Sequence, residues 1–493
     1  MRKPNLFSAA IFTLALAVMI PSVQAQKLKT LHQFNVAIKG EGANPHGALL
    51  RDAAGNLYGT TLDGGTGDGT VFKIDSTGKE SVLFAFDLPV SGSSPDTPLI
   101  QDRTGNLYGI VQEGGPGGGG LVYKLSPQGE QTILHAFQLM PRGGPVVPTG
   151  GLFMDKSGNL FGTTFSGGKC PSGCGTVFRL DPAGKLHLLH KFTGGSDGSE
   201  PFGPLVQDAK GNLYGVAHAG GDLSCPDPDF PGDGCGTVFK LAKNGKLTVL
   251  HTFAGGKDGS IPQGGLAMDA AGNLYGVTGV GGHREFGTAF KISKDGKYTI
   301  LHRFLRKEGT SPNGGLVLDE AGNLYGTANF NGAHNLGTVF ELSPDGQLTV
   351  LHRFKGDVDG GLPSAGLIRD AAGNLYGTTT RNVANQHIQG TVFEITFWVG
   401  RTGLGSFRVP RDRCPGFGPL ARNWFCRRNA EATPGPKTEA KGESSTWQRN
   451  WMKKSSYCKT SWRSGVILTL GWLGALPRQA IYRQNRTNPQ LNV

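Results

Sequence analysis

Between residues 27 and 396 the hydrophobic positions come in short runs separated by Gly- and Pro-containing turns. From Gly315 to Phe354 the runs read Gly-Leu-Val-Leu-Asp, Asn-Leu-Tyr-Gly-Thr, Gly-Thr-Val-Phe-Glu-Leu and Leu-Thr-Val-Leu-His-Arg-Phe. They alternate or cluster as half-buried strands do, and none is long enough for a helix. The set of four then repeats. Copies of Gly-Asn-Leu-Tyr/Phe-Gly start at Gly55, Gly105, Gly158, Gly211, Gly272, Gly322 and Gly373, and the decapeptide from Asp52 returns letter for letter at Asp370. A period of 50 to 61 residues marks a propeller or solenoid, because one such unit cannot bury its own apolar surface. Four strands per unit is the content of a propeller blade.

The turns agree with this reading. Sequences such as Asp-Ser-Thr-Gly-Lys at Asp75 and Ser-Pro-Asp-Gly-Gln at Ser343 join third to fourth strands, with Gly where the hairpin needs positive φ. Between first and second strands, the Asp of Asp-x-x-Gly-Asn can accept backbone N–H groups of its own turn. The motif count is offset by one strand. Gly-Thr-Val-Phe and its variants run from Gly69 to Gly390, whereas Leu-His-x-Phe runs from Leu31 to Leu351, so one fourth strand precedes everything else and none follows Gly390. The prediction is an all-β, seven-bladed β-propeller over residues 27–396, closed by an N-terminal strand that completes the last blade.

The compound pattern Pro-x-x-Gly-Leu-x-x-Asp-x-x-Gly-Asn-Leu-Tyr-Gly-Thr-Thr, Gly-Thr-Val-Phe-x-Leu and Gly-x-x-Thr-Val-Leu-His-x-Phe covers about Leu31 to Thr396. It resembles the GloVer tandem-repeat family of exported bacterial proteins and, more distantly, the NHL and streptogramin-lyase propellers. The resemblance implies a secreted or cell-surface propeller of unassigned biochemical role, and it transfers no catalytic residue.

One rim carries the short, uniform turns. On the other, the segments between second and third strands hold 9 to 20 residues and vary in content, and variable loops on a rigid scaffold are where binding residues concentrate. They supply the candidate ligand-binding residues Asp63, Asp68, Glu113, His218, Asp222, His283, Arg284, Glu285, His334, Arg381 and His387, with solvated loop polarity as the competing reading. Asp-Gly pairs at Asp197, Asp258 and Asp359 make candidate Ca²⁺ ligands, against the plain reading of a type I turn. Six histidines, His32, His135, His190, His251, His302 and His352, share one place in Leu-His-x-Phe. A residue repeated in six blades serves what every blade needs, so packing is expected: the ring shares a strand face with the following Phe and donates to a backbone carbonyl between blades.

Four cysteines lie within the repeats, Cys170 and Cys174 in one variable loop and Cys225 and Cys235 in the equivalent loop of the next blade. Three pairings are open, the local one being the simplest, and a zinc site bridging the loops ranks behind them because neither loop has a His at regular ligand spacing. Disulfides suit an exported protein. So does the start of the chain, where Arg2 and Lys3, the apolar run Ile11 to Ile20 and a Val23-Gln24-Ala25 cleavage site read as a signal peptide over residues 1–25. No later run reaches the roughly 20 apolar residues of a spanning helix.

The formal charge of +12 lies in the tail: residues 397–493 hold 17 basic and 4 acidic residues, leaving 32 and 33 for the rest. A neutral body argues against nucleic acid as a partner of the propeller. The tail also holds all six Trp and none of the repeat motifs, so it reads as a disordered basic appendage or, the favoured alternative, as out-of-frame translation. The functional expectation is a monomeric binding or interaction module for a glycan or a cell-envelope protein. Its rival is a lyase- or lactonase-type enzyme with a non-repeated His, Glu or Asp cluster, or a metal, at the channel mouth. Ca²⁺ is the one ion for which a candidate set stands out.

Overall fold

The computed structural model describes residues 25–398 apart from 140–143, 145, 171–172, 226–231 and 383–386; the expected signal peptide, but for Ala25, and nearly all of the basic tail lie outside the described residues. Seven antiparallel sheets follow one another along the chain, each with four strands once the split first strands of blades 1 and 3 are joined. In blade 5 the strands are Ala267–Met268, Leu274–Thr278, Thr288–Ile292 and Tyr298–Arg303, with the first at one edge and the fourth at the other. Blade 7 takes Ile368–Arg369, Leu375–Thr379 and Ile388–Trp398 from the end of the repeats and Ala25–Asn35 from their start. That pair runs antiparallel from Ala25 opposite Trp398 to Asn35 opposite Ile388. The chain is thus an all-β, seven-bladed propeller closed by its first strand. No helix among the described residues is long and apolar enough to cross a membrane.

Three contacts repeat around the ring, two of them between neighbouring blades. The Phe that ends each fourth-strand motif is buried and meets the third-strand ring of the next blade edge-on. The pairs are Phe34 with Phe72, Phe86 with Tyr123, Phe137 with Phe178, Phe192 with Phe239, Phe253 with Phe290, Phe304 with Phe340 and Phe354 with Phe393, at centroid distances of 4.9 to 5.5 Å. This is the favoured geometry for aromatic quadrupoles. Phe34, on the N-terminal strand, completes the circle. Each third-strand ring also lies on the Gly of Leu-Tyr-Gly: a β-carbon at Gly276 would stand 2.5 Å from Cζ of Phe290. Close packing selects that glycine. At the Gly opening Gly-Thr-Val-Phe, positive φ and a neighbour act together. Gly390 has φ 101°, and a β-carbon there would stand 2.3 Å from Cδ of Pro45 in blade 1.

The Leu of Leu-His-x-Phe is the extra residue of a β-bulge. In blade 4, His251 pairs with Val238 and Val249 with Phe239, so Leu250 is skipped. Its side chain packs into the apolar cluster of Phe253 and Phe290 between blades 4 and 5. On the uniform rim the turn aspartates behave as their spacing predicts. Asp319 accepts the backbone N–H groups of Ala321 and Asn323, the Asn323 amide and the Tyr325 hydroxyl at 2.8 to 3.1 Å. Burial by itself would raise these carboxyls, but the accepted hydrogen bonds outweigh it and hold Asp52, Asp102, Asp155, Asp208, Asp269, Asp319 and Asp370 below their ordinary values.

Phe34→Ala and Phe253→Ala remove equivalent rings, one at the closing seam and one inside the array, and each is expected to lower the unfolding free energy by about 3–5 kcal/mol in urea titration. A near-neutral Phe34→Ala would mean that the seam is open in solution. A depressed carboxyl stabilises the fold above its unfolded pKa, about 4, and loses that effect as pH falls through the folded value. Asp319→Asn is therefore expected to lower the calorimetric melting temperature at neutral pH and to cost progressively less as the pH approaches about 3.

Candidate functional site at the channel mouth

The first strand of each blade begins Pro-x-small-small-Leu or a close variant, as in Pro262-Gln263-Gly264-Gly265-Leu266. Proline brings no N–H to a ladder. The residue before it sits at positive φ in all seven blades, from 52° at Ser311 to 59° at Asn44, a conformation that costs a non-glycine residue about 1–3 kcal/mol. The preceding blade holds it there: the N–H of Ile261 donates to the Cys235 carbonyl at 3.1 Å and that of Leu362 to Leu336 at 2.8 Å. Ladder pairing is then confined in several blades to two residues lower down, such as Ala267–Met268.

The small residues mark where the blades converge. A β-carbon at Gly150 would lie 2.3 Å from the Gly203 carbonyl oxygen, one at Gly264 would lie 2.8 Å from that of Gly314, and one at Gly314 would lie 2.5 Å from that of Ala365. First strands of successive blades touch in this way because they surround the axis. Between the buried Pro and the buried small residue, the intervening side chain is partly exposed in six blades. It therefore faces the channel. These residues are His46, Asp96, Phe202, Gln263, Asn313 and Ser364, with Thr149 buried at the matching place in blade 3. Second strands add Gln112, His218 and Asn329, each three residues after the Gly of Leu-Tyr-Gly.

Their chemistry is uneven around the ring. Gln112 Nε2 donates to Asp96 Oδ2 at 2.7 Å, which leaves Asp96 Oδ1 buried without a hydrogen-bond partner. Burial pushes the Asp96 carboxyl up to about 7 against the pull of that bond. Burial also pushes His46 down to about 4, opposed by the charge of Asp63. Near neutral pH the imidazole is uncharged and the carboxyl is divided between its two forms. In blades 4 and 5, His218 stands with Nδ1 3.6 Å from Glu200 Oε2, Nε2 3.4 Å from Gln263 Nε2 and its ring 6.4 Å from that of Phe202. Asn329 Oδ1, Ser364 Oγ and Thr378 Oγ1 are buried without hydrogen-bond partners. Such a wall has the donors, acceptors and apolar face to bind a small polar molecule, and a carboxyl near neutrality with which to exchange a proton.

Among the residues singled out in the sequence, Asp63 and His218 belong to this mouth; Asp63 Oδ2 accepts from the Asn44 amide at 3.3 Å. Glu113 and Arg381 are exposed at the upper ends of second strands. Asp68 accepts the Leu88 N–H, Asp222 caps its own loop through Ser224, and Glu285 accepts the Gly281 N–H. His283 and Arg284 are exposed on one loop, His334 and His387 on two others. Asp197, Asp258 and Asp359 take Nε2 of His190, His251 and His352 at 2.8 to 3.0 Å. They also accept backbone N–H groups of Thr193, Ala254 and Lys355. Among the described residues five of the six repeated His, all but His135, thus have a carboxylate partner where a carbonyl was expected, because the next loop turns its acid back over the strand end. The edge contact with the following Phe is as expected. The disulfides are the local ones, Cys170–Cys174 and Cys225–Cys235. The channel residues other than Asp63 and His218 stand outside the sequence-derived set, since those that follow each Pro are the free letter in an otherwise constant motif. That variation inside a fixed frame was the available signal.

Among solved structures the chain is similar to the extracellular domain of a protein described as a hybrid two-component system from B. thetaiotaomicron (11% identity, TM-score 0.47), covering 73% of this chain and 40% of that one. It is also similar to a gluconolactonase from Xanthomonas campestris (17% identity, TM-score 0.35, 60% of this chain and 83% of that one). No curated protein matches the chain. The family described as the Gloeobacter/Verrucomicrobia repeat matches residues 17–147 and 229–410, more than half of the sequence, and the protein belongs to that family.

Proposed function

We propose that the protein is an exported, monomeric binding module that holds a small polyhydroxylated ligand, a sugar or the glycan of a cell-envelope component, at the channel mouth. The observation that carries this reading is the ring of unlike side chains, His46, Asp96, Thr149, Phe202, Gln263, Asn313 and Ser364, at one position of a constant motif. A position that served the fold alone would repeat, as the neighbouring Pro and Leu do. A sugar needs donors and acceptors at close range together with an apolar face for its C–H groups, and Gln263, Asn313 and Ser364 beside Phe202 offer that combination. Two disulfides suit an oxidising compartment, as does the leader at the start of the chain.

Asp96 supports a second reading. Burial pushes its carboxyl up to about 7, which suits general acid–base work on a lactone or ester, because such a group is most effective when its pKa lies near the operating pH.

On a glycan array the full-length protein is expected to give a defined set of hits. In calorimetric titration with a hit, Gln263→Ala and Asn313→Ala are each expected to weaken binding about tenfold without lowering the melting temperature. Turnover of a lactone or ester panel that disappears in Asp96→Asn, with no glycan bound, would replace the binding reading by the enzymatic one.

A further inference from the structure

At the seam between the last and first blades, three segments bring one histidine and two glutamates together. His32 comes from Ala25–Asn35, Glu41 from the segment entering blade 1, and Glu80 from the start of Glu80–Ala85, the fourth strand of blade 1. One ligating atom from each lies within 4.8 Å of the others. His32 Nε2 meets Glu41 Oε1 at 2.7 Å, the Asn35 N–H donates to Glu41 Oε2 at 3.2 Å, and the Glu41 side chain is 6% exposed. Glu80 Oε1 is buried with no hydrogen-bond partner.

The His–acid pair recurs at other boundaries, but its third member does not. At the place of Glu80 the next five blades carry Gln131, Leu186, Leu247, Tyr298 and Leu348. Tyr298 shows what the place does for the fold: its ring stacks on His251 at 3.6 Å and its hydroxyl donates to the Asp258 carbonyl. A carboxylate can do neither. We propose that His32, Glu41 and Glu80 form a divalent-cation site, with Zn²⁺ the best-suited ion, which clasps the N-terminal strand to blade 1.

A neutral imidazole and two carboxylates bring two negative charges to a buried spot, and one divalent ion cancels them. The imidazole favours a first-row metal over Ca²⁺ or Mg²⁺, which take all-oxygen sets. Three protein ligands leave one tetrahedral position for water. Ligand atoms on tetrahedral zinc stand about 3.3 Å apart, so the His32–Glu41 contact would open slightly while Glu80 rotates inwards. Glu80 Oε1, buried without a hydrogen-bond partner, would gain one in the cation.

The test is zinc titration of the full-length, metal-free protein in a background where Cys414, Cys426 and Cys458 are replaced by Ser, read by calorimetry and thermal unfolding. The expected result is one zinc per chain, a melting temperature raised by zinc, and affinity lower by about tenfold or more in Glu80→Leu, the residue that blades 3, 4 and 6 carry there. Glu80→Gln keeps the shape and hydrogen-bonding capacity of the side chain and is expected to show the same loss should the Leu variant fold poorly. Absence of stoichiometric zinc in the parent, or undiminished affinity in the folded variants, overturns the proposal.

Discussion

A four-stranded blade has two apolar faces and too few residues to cover either, so each face must be buried by a neighbour. The edge-on contact between the Phe of one blade and the third-strand ring of the next does this seven times, at nearly constant spacing. Much of the repeat follows from it. The Gly of Leu-Tyr-Gly makes room for the ring, the bulged Leu fills the gap beside it, and the Gly before Thr-Val-Phe lets the next blade's Pro approach. Because Phe34 on the first strand makes the same contact with Phe72 as its counterparts inside the array, the ring has no weak face at its closure.

The same constancy isolates the part of the molecule that differs from blade to blade. Seven strained residues before proline lift the upper first strands out of the ladders, and the side chain that follows each proline is set between two buried neighbours, facing the axis. The fold places few demands on that side chain, which accommodates Asp96 in one blade and Phe202 in another. Scaffold and recognition are thereby separated within a stretch of five residues.

Most of the architecture was legible in the sequence because it is carried by motifs whose period is fixed by packing. The blade count, the turn aspartates and the extra fourth strand near Leu31 all came from such repetition. The disulfides were the simplest of the pairings left open, and the fold places Cys170 with Cys174 and Cys225 with Cys235. The candidate site was less legible for the converse reason. Loop charge drew notice to residues such as Asp68, Asp222 and His334, which hold loop backbone or face solvent, whereas Gln263 meets His218 of the preceding blade, 45 residues earlier. No local spacing reports that convergence. The partner of the repeated His was hidden similarly, since the acid follows at an interval that changes from Asp197 and Asp258 to Glu308 and Glu41.

The pairing of Ala25 with Trp398 also sets the order in which the chain can acquire its structure. Blades 1 to 6 are built from hairpins whose strands are neighbours in sequence, and each can form soon after synthesis. The seventh must wait for both extremities of the array, and joining points so far apart carries a loop-closure entropy of about 5 kcal/mol. Until then Phe34 and the face of blade 1 that it covers stay open, leaving an unfinished ring with adhesive surfaces at both ends. A chain truncated before its last repeat would remain in that condition, which makes the number seven a requirement for solubility as much as for shape.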